Sequence, residues 1–75
     1  MPYIAIKSFP KDEETVRRVA EKINAIFLEE WGCPPQAITI SHETVNPGDW
    51  AETVVKTEIE PKADKMLFRS GEKKF

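Results

Sequence analysis

The chain begins MPYIAIKSFP, with proline as its second residue. Removal of the initiator methionine turns the Pro2 nitrogen from an inert tertiary amide into a free secondary amine, a group that can take up and return a proton. A general base works best when its pKa lies near the operating pH, and an ordinary α-amino group already titrates at about 7.7 to 8.0. A secondary amine is intrinsically more basic, so the site around it should be partly dry and carry nearby positive charge, both of which disfavour the ammonium form. A hundredfold suppression of that form corresponds to roughly 2.7 kcal/mol, which a pocket with one or two cations can supply. The pyrrolidine ring also limits the motion of the nitrogen.

Other chemistry-bearing residues have simpler readings. His42 is the only histidine and falls on a predicted strand face, where a lone histidine is more often structural than catalytic. Cys33 is the only cysteine, with Gly32 and Pro34 beside it and no base near it in sequence, so it reads as unreactive. One cysteine excludes a disulfide, and without a His/Cys cluster no zinc framework is expected. Arg17 and Arg18 suit a solvated helix face; they and Arg69 could also reach a neighbouring subunit's pocket.

The elements that must position Pro2 follow from periodicity. Residues 3 to 9 alternate with a period of two and predict a strand that Pro10 ends. Asp12 is an N-cap candidate followed by acidic Glu13 and Glu14. From Glu13 to about Trp31, Val16, Val19, Ala20, Ile23, Ile26, Phe27 and Trp31 recur at helical intervals. Glu13 with Arg17 and Glu14 with Arg18 form favourable i,i+4 pairs, and Gly32 with Pro34-Pro35 ends the helix. Residues 37 to 45 predict a second strand with Ile38, Ile40 and His42 on one side. Strand, long helix and strand with short joints make a right-handed βαβ unit and a parallel pair.

After a turn at Asn46-Pro47-Gly48, Asp49 to Glu52 has capping-box spacing, and a second helix is expected from Trp50. Val54, Val55 and Ile59 suit its buried face, and Pro61 should kink or split it before a last segment with Ala63, Met66 and Leu67. Residues 69 to 75 read as a polar tail that frays.

With 75 residues the chain is one domain, near the size at which a single core needs reinforcement. Two strands leave both outer edges unpaired, and a second copy of the chain would supply what is missing. Eleven Lys and Arg against 13 Asp and Glu give a net charge of -2, which argues against nucleic-acid or anionic-membrane binding. No apolar run has the length of a membrane span and no signal peptide is evident, so a cytoplasmic protein is expected.

Together, the proline after Met1, the strand PYIAIKSFP, the amphipathic helix, GCPPQAITI and VNPGDW resemble the 4-oxalocrotonate tautomerase family over roughly residues 2 to 50. Beyond Trp50, WAETVVKTEIEP looks more like the branch with a C-terminal helix, whose known enterobacterial members are dimers, than like the short hexameric enzymes. The resemblance implies an α/β (α+β) β-α-β protomer with a C-terminal helix, two of which pair into a four-stranded sheet with helices on one face. It implies a cofactor-independent tautomerase or isomerase acting on small enol or 2-oxo carboxylic acids, with Pro2 as general base and no metal. Lys11 matches, at or next to its position, a substrate-binding arginine, although an ammonium cannot copy the bidentate fork. Thr39 stands where the hexameric enzymes carry a second arginine and can donate one hydrogen bond, which puts a dicarboxylate substrate in doubt. Trp50 matches an aromatic wall of the pocket.

Relatives that use the same amine with water are dehalogenases and decarboxylases, which makes those activities one alternative. A catalytically inactive dimeric binding or scaffold protein of the same fold, suggested by Thr39 and Lys11, is another.

Overall fold

The computed structural model describes residues 1–75 and divides into two compact units, Met1–Val45 and Asn46–Phe75.

The first unit is the βαβ motif. Strand β1 (Tyr3–Ser8) and strand β2 (Thr39–Thr44) pair in parallel, joined by helix α1 (Glu13–Glu30) and a 3-10 turn at Pro35–Ala37. The register sets Ile4 beside Ile40, Ile6 beside His42 and Ser8 beside Thr44. Because side chains alternate along a strand, Ile4, Ile6, Ile40 and His42 share one half-buried face, while Tyr3, Ala5, Thr39 and Ser41 lie exposed on the other. Two bonds extend the ladder past its ends: the Thr39 amide donates to the Pro2 carbonyl at 3.2 Å, and the Val45 amide to the Ser8 carbonyl at 2.8 Å.

Helix α1 starts as the sequence predicts. The Asp12 carboxylate accepts from the Thr15 amide at 2.9 Å and from the Thr15 hydroxyl at 2.8 Å, satisfying one of the donors a helix N-terminus leaves open. Glu13 pairs with Arg17, and Glu14 lies 4.0 Å from Arg18. At the far end the Trp31 amide donates to the Phe27 carbonyl, and Gly32 takes φ +61°, the left-handed conformation that suits glycine. The Phe27 and Trp31 rings meet edge to face, with centroids 4.6 Å apart. The apolar stripe is only partly covered, however. Val16, Ala20, Ile23 and Phe27 are half-buried, whereas Val19, Ile26 and Trp31 are exposed and no α1 residue is fully buried.

The second unit departs from the sequence expectation in three places. The Asp49–Glu52 capping box does not form: Asp49 closes a 3-10 turn at Pro47–Asp49, its amide bonded to the Asn46 carbonyl at 2.9 Å, and no side chain caps the following helix. Glu52 is instead held by Lys56 at 2.6 Å, one turn along. The helix itself, Ala51–Ile59, winds as a π-helix, a form in which N–H groups reach the carbonyl five residues back, as Glu60 does to Val55.

At Pro61, which lacks an N–H, the winding tightens into a 3-10 segment, Glu60–Lys65, whose φ/ψ leave the helical region at Lys62. Met66 and Leu67 therefore fall outside the helix. The segment expected as a polar tail holds an antiparallel hairpin, with β3 (Phe68–Arg69) paired to β4 (Glu72–Lys73). Ser70 at φ 52° and Gly71 at φ 83° form its two-residue turn, the positive-φ geometry that matches strand twist. Phe75 closes the hairpin, edge-on to Phe68 with 5.8 Å between centroids and the Lys73 ammonium over its face.

Buried apolar side chains are few: Ala37, Val45 and Val54, to which the ring of Pro2 is added.

Two outcomes test this description. Gly32→Ala places a Cβ in the left-handed region and should destabilise the protein by about 1 kcal/mol, read as a lower urea midpoint at unchanged slope. Bonds from the Thr15 hydroxyl, then from the Thr15 amide, hold the Asp12 carboxyl below its ordinary range. Its folded pKa being depressed, this contribution to stability is complete above the unfolded value of about 3.9 and is lost as the pH falls through the lower folded value. Thr15→Val removes the hydroxyl and keeps the amide, so carboxyl-carbon NMR should show Asp12 titrating closer to its ordinary value; an unchanged titration would refute the assignment.

Candidate functional site

Pro2 stands immediately before β1. Proline has no amide hydrogen, so only its carbonyl joins the sheet, and its nitrogen stays outside the ladder that begins with the Thr39-to-Pro2 bond. This resolves the oddity of a proline at the head of a half-buried strand. Pro2 is buried while Met1 is fully exposed, so loss of Met1 would change the chemistry of the nitrogen and remove no packed side chain. Thr39, paired with Tyr3 and exposed, lies next to Pro2 on the neighbouring strand. On the same sheet face the Tyr3 hydroxyl is 3.4 Å from Ser41 Oγ. The structure thus brings two of the four expected site residues, Pro2 and Thr39, to one end of the parallel pair.

Lys11 lies at the opposite end. Six residues of β1 at about 3.3 Å each separate the two ends by roughly 20 Å, so within one protomer Lys11 does not reach Pro2. Lys11 lines a small cavity of about 160 Å³ together with Ile6, Ser8, Val16, Val19 and His42. Its charge also lies close enough to Asp12 to contribute to holding that carboxyl ionised.

In this cavity Ser8 Oγ is 2.8 Å from His42 Nε2, a contact that sequence reasoning did not anticipate. The Ser8 hydroxyl also lies 2.9 Å from the Phe9 carbonyl, and its one hydrogen serves either that carbonyl or the His42 ring, the direction of the Ser8–His42 bond following the His42 tautomer. In either direction the contact anchors the His42 ring against β1. Cys33 is likewise tied down, its thiol 3.6 Å from the Phe27 carbonyl at the end of α1.

Trp50, the fourth expected residue, is half-buried in the second unit. It lines a cavity of about 210 Å³ with Val55, Ile59, Met66, Phe68 and Arg69. Arg69 is the residue the sequence reading placed in a tail. The signal that could have located it is Arg69-Ser70-Gly71-Glu72, in which Ser-Gly is a turn dipeptide.

No group of three or more His, Cys, Asp or Glu side chains converges as a metal site, and no helix is long and apolar enough to cross a membrane.

No protein-family model matches the chain. Similarity to curated proteins is nevertheless nearly end to end. The Tautomerase PptA of Enterobacter sp. (strain 638) is 29% identical over 73 residues, covering 95% of this chain and 96% of that protein. The proteins of the same name from Pectobacterium carotovorum subsp. carotovorum (strain PC1) and Escherichia coli (strain SMS-3-5 / SECEC) are 26% and 27% identical over the same shares. The chain is thus a β-α-β protein whose relatives are named tautomerases, which supports an isomerase-type activity in general terms.

Proposed function

We propose that the chain is a cytoplasmic, cofactor-independent tautomerase interconverting enol and keto forms of small 2-oxo carboxylic acids. The Pro2 amine, freed by removal of Met1, is its general base. The observation that carries this reading is nearly full-length similarity to proteins named tautomerases in a chain whose buried Pro2 heads β1. In ketonisation the Pro2 nitrogen takes the proton of the enol hydroxyl as the carbonyl forms. It returns that proton to the neighbouring carbon as the carbon–carbon double bond is consumed, so no atom or electron is gained or lost. Burial disfavours the charged form of the amine and keeps it competent as a base near neutral pH.

Because Pro2 and Lys11 occupy opposite ends of β1, a site that uses both takes Lys11 from a second copy. A homodimer fits the rest of the protomer. Its parallel sheet has two strands and a free edge on each, and Val19 and Ile26, seven residues apart on α1, are 44% and 55% exposed. Four strands with helices on one face would close these gaps.

Pro2→Ala keeps a terminal amine and loses the ring. It should lower kcat/KM for phenylpyruvate ketonisation by about 10² or more with an unchanged far-ultraviolet circular dichroism spectrum. Equal turnover would remove Pro2 from the mechanism. Light scattering on the purified protein should return at least twice the 8.6 kDa protomer mass, and a fully active monomer would end the shared-site reading.

A further inference from the structure

Lys11 is the last residue of a short joint, made of Phe9, Pro10 and Lys11, between the end of β1 and the Asp12 cap of α1. Both ends of that joint are pinned. On the helix side the Asp12 carboxylate accepts from the Thr15 amide and hydroxyl, and the Asp12 carbonyl accepts from the Val16 amide at 3.1 Å. On the strand side the Ser8 carbonyl accepts from the Val45 amide, while the Ser8 hydroxyl stands 2.9 Å from the Phe9 carbonyl and 2.8 Å from His42 Nε2. Pro10 adds its fixed φ in the middle, so few backbone angles remain to aim Lys11.

The two contacts of the Ser8 hydroxyl constrain each other. A carbonyl can only accept, so the approach to Phe9 is a bond only when the hydroxyl hydrogen points there, and Nε2 must then carry a hydrogen of its own. In the other tautomer the hydroxyl hydrogen goes to Nε2, and two oxygen atoms face each other at 2.9 Å without a hydrogen between them. Only the Nε2–H form makes both contacts favourable.

We propose that His42 is a positioning residue for Lys11, acting through Ser8. The imidazole Nε2–H donates to Ser8 Oγ, the Ser8 hydroxyl donates to the Phe9 carbonyl, and this relay sets the direction in which the joint leaves β1. The inference rests on the role proposed above for Lys11, the cation that a second copy's Pro2 receives. His42 stands on β2, beside Ile6, so the relay ties the joint to both strands of the sheet. Ser8, His42 and Lys11 line one cavity with Ile6, Val16 and Val19, and such partly dry surroundings strengthen hydrogen bonds. Lysine needs this support. Its ammonium is a point charge on a flexible stem and lacks the preorganised fork of arginine, so its placement depends on how firmly the root of the stem is held. A cation that holds the substrate anion equally in ground and transition states affects KM when misplaced and leaves kcat nearly unchanged.

The first test is long-range proton–nitrogen NMR of the His42 ring in mildly alkaline buffer, where imidazoles are neutral. Nε2 should carry the hydrogen and Nδ1 should be bare; the reverse pattern would overturn the relay. His42→Leu, which fills space without a donor, should raise KM for phenylpyruvate about fivefold with kcat within about twofold, and should shift the backbone amide signals of Phe9 and Lys11. His42→Gln, whose amide nitrogen stands near the place of Nε2, should return both readouts toward the parent. Ser8→Ala should act as His42→Leu does, and the double variant should add nothing further. Equal effects of His42→Leu and His42→Gln would mark a packing role and sink the proposal, as would an unchanged KM in a folded His42→Leu protein. Pro2→Ala should leave the ring pattern and the Lys11 amide signal as in the parent. A parent that turns over no substrate counts against the Pro2 reading, and the ring and amide signals, which need no turnover, still judge the relay.

Discussion

The parallel pairing of β1 with β2 is the constraint on which the first unit rests. Parallel strands cannot be joined by a hairpin; the chain must travel back along the sheet, and α1 is that return path. Both strands consequently begin at one end and finish at the other. Pro2 and Thr39 are neighbours because each stands at a strand start, and Ser8 and Lys11, at and just after the end of β1, lie on the same side of the unit as His42 in the second half of β2. The 20 Å scale of separation between the candidate base and the candidate cation is thus a property of topology, not of side-chain choice.

That same topology explains why so little of the protomer is dry. A helix crossing a two-stranded ribbon covers one face over a limited width, and an 18-residue helix presents more apolar surface than two six-residue strands can receive. Half-burial along Ile4, Ile6, Ile40 and His42, together with exposed Val19 and Ile26, is the outcome. The sequence is patterned for a sheet wider than the one a single chain makes.

Legibility followed the range of the interaction. Asp12 as cap, Gly32 as stop and the Glu13–Arg17 pair depend on residues within four positions of one another, and all could be read directly. The parallel order of the strands was also legible, because a long amphipathic run between two alternating segments leaves few other arrangements. The Ser8–His42 bond was hidden, since it needs the pairing register across 34 positions. The β3–β4 hairpin escaped because two-residue strands carry no measurable period, and its defining Ser70-Gly71 turn sits in a charged stretch that reads as solvated chain. The failed capping box at Asp49 shows competition between motifs. Asn46-Pro47 drew the Asp49 amide into a tighter turn first, and Glu52 found a better partner in Lys56.

The wide winding of Ala51–Ile59 has a neighbour in conformational space only one hydrogen-bond step away. If those nine residues relaxed to ordinary α geometry, positions five apart would rotate to about 140° from each other, and Trp50 and Val55 could no longer wall the same space. Inserting a single residue between Trp50 and Val55 would likewise carry them apart, whereas deleting one would leave them four apart, the spacing that α winding brings to one face. Lengthening this helix by one position is therefore a small genetic event with a large steric result, a natural gear by which descendants of the fold could open or erase a cavity while leaving the strands untouched.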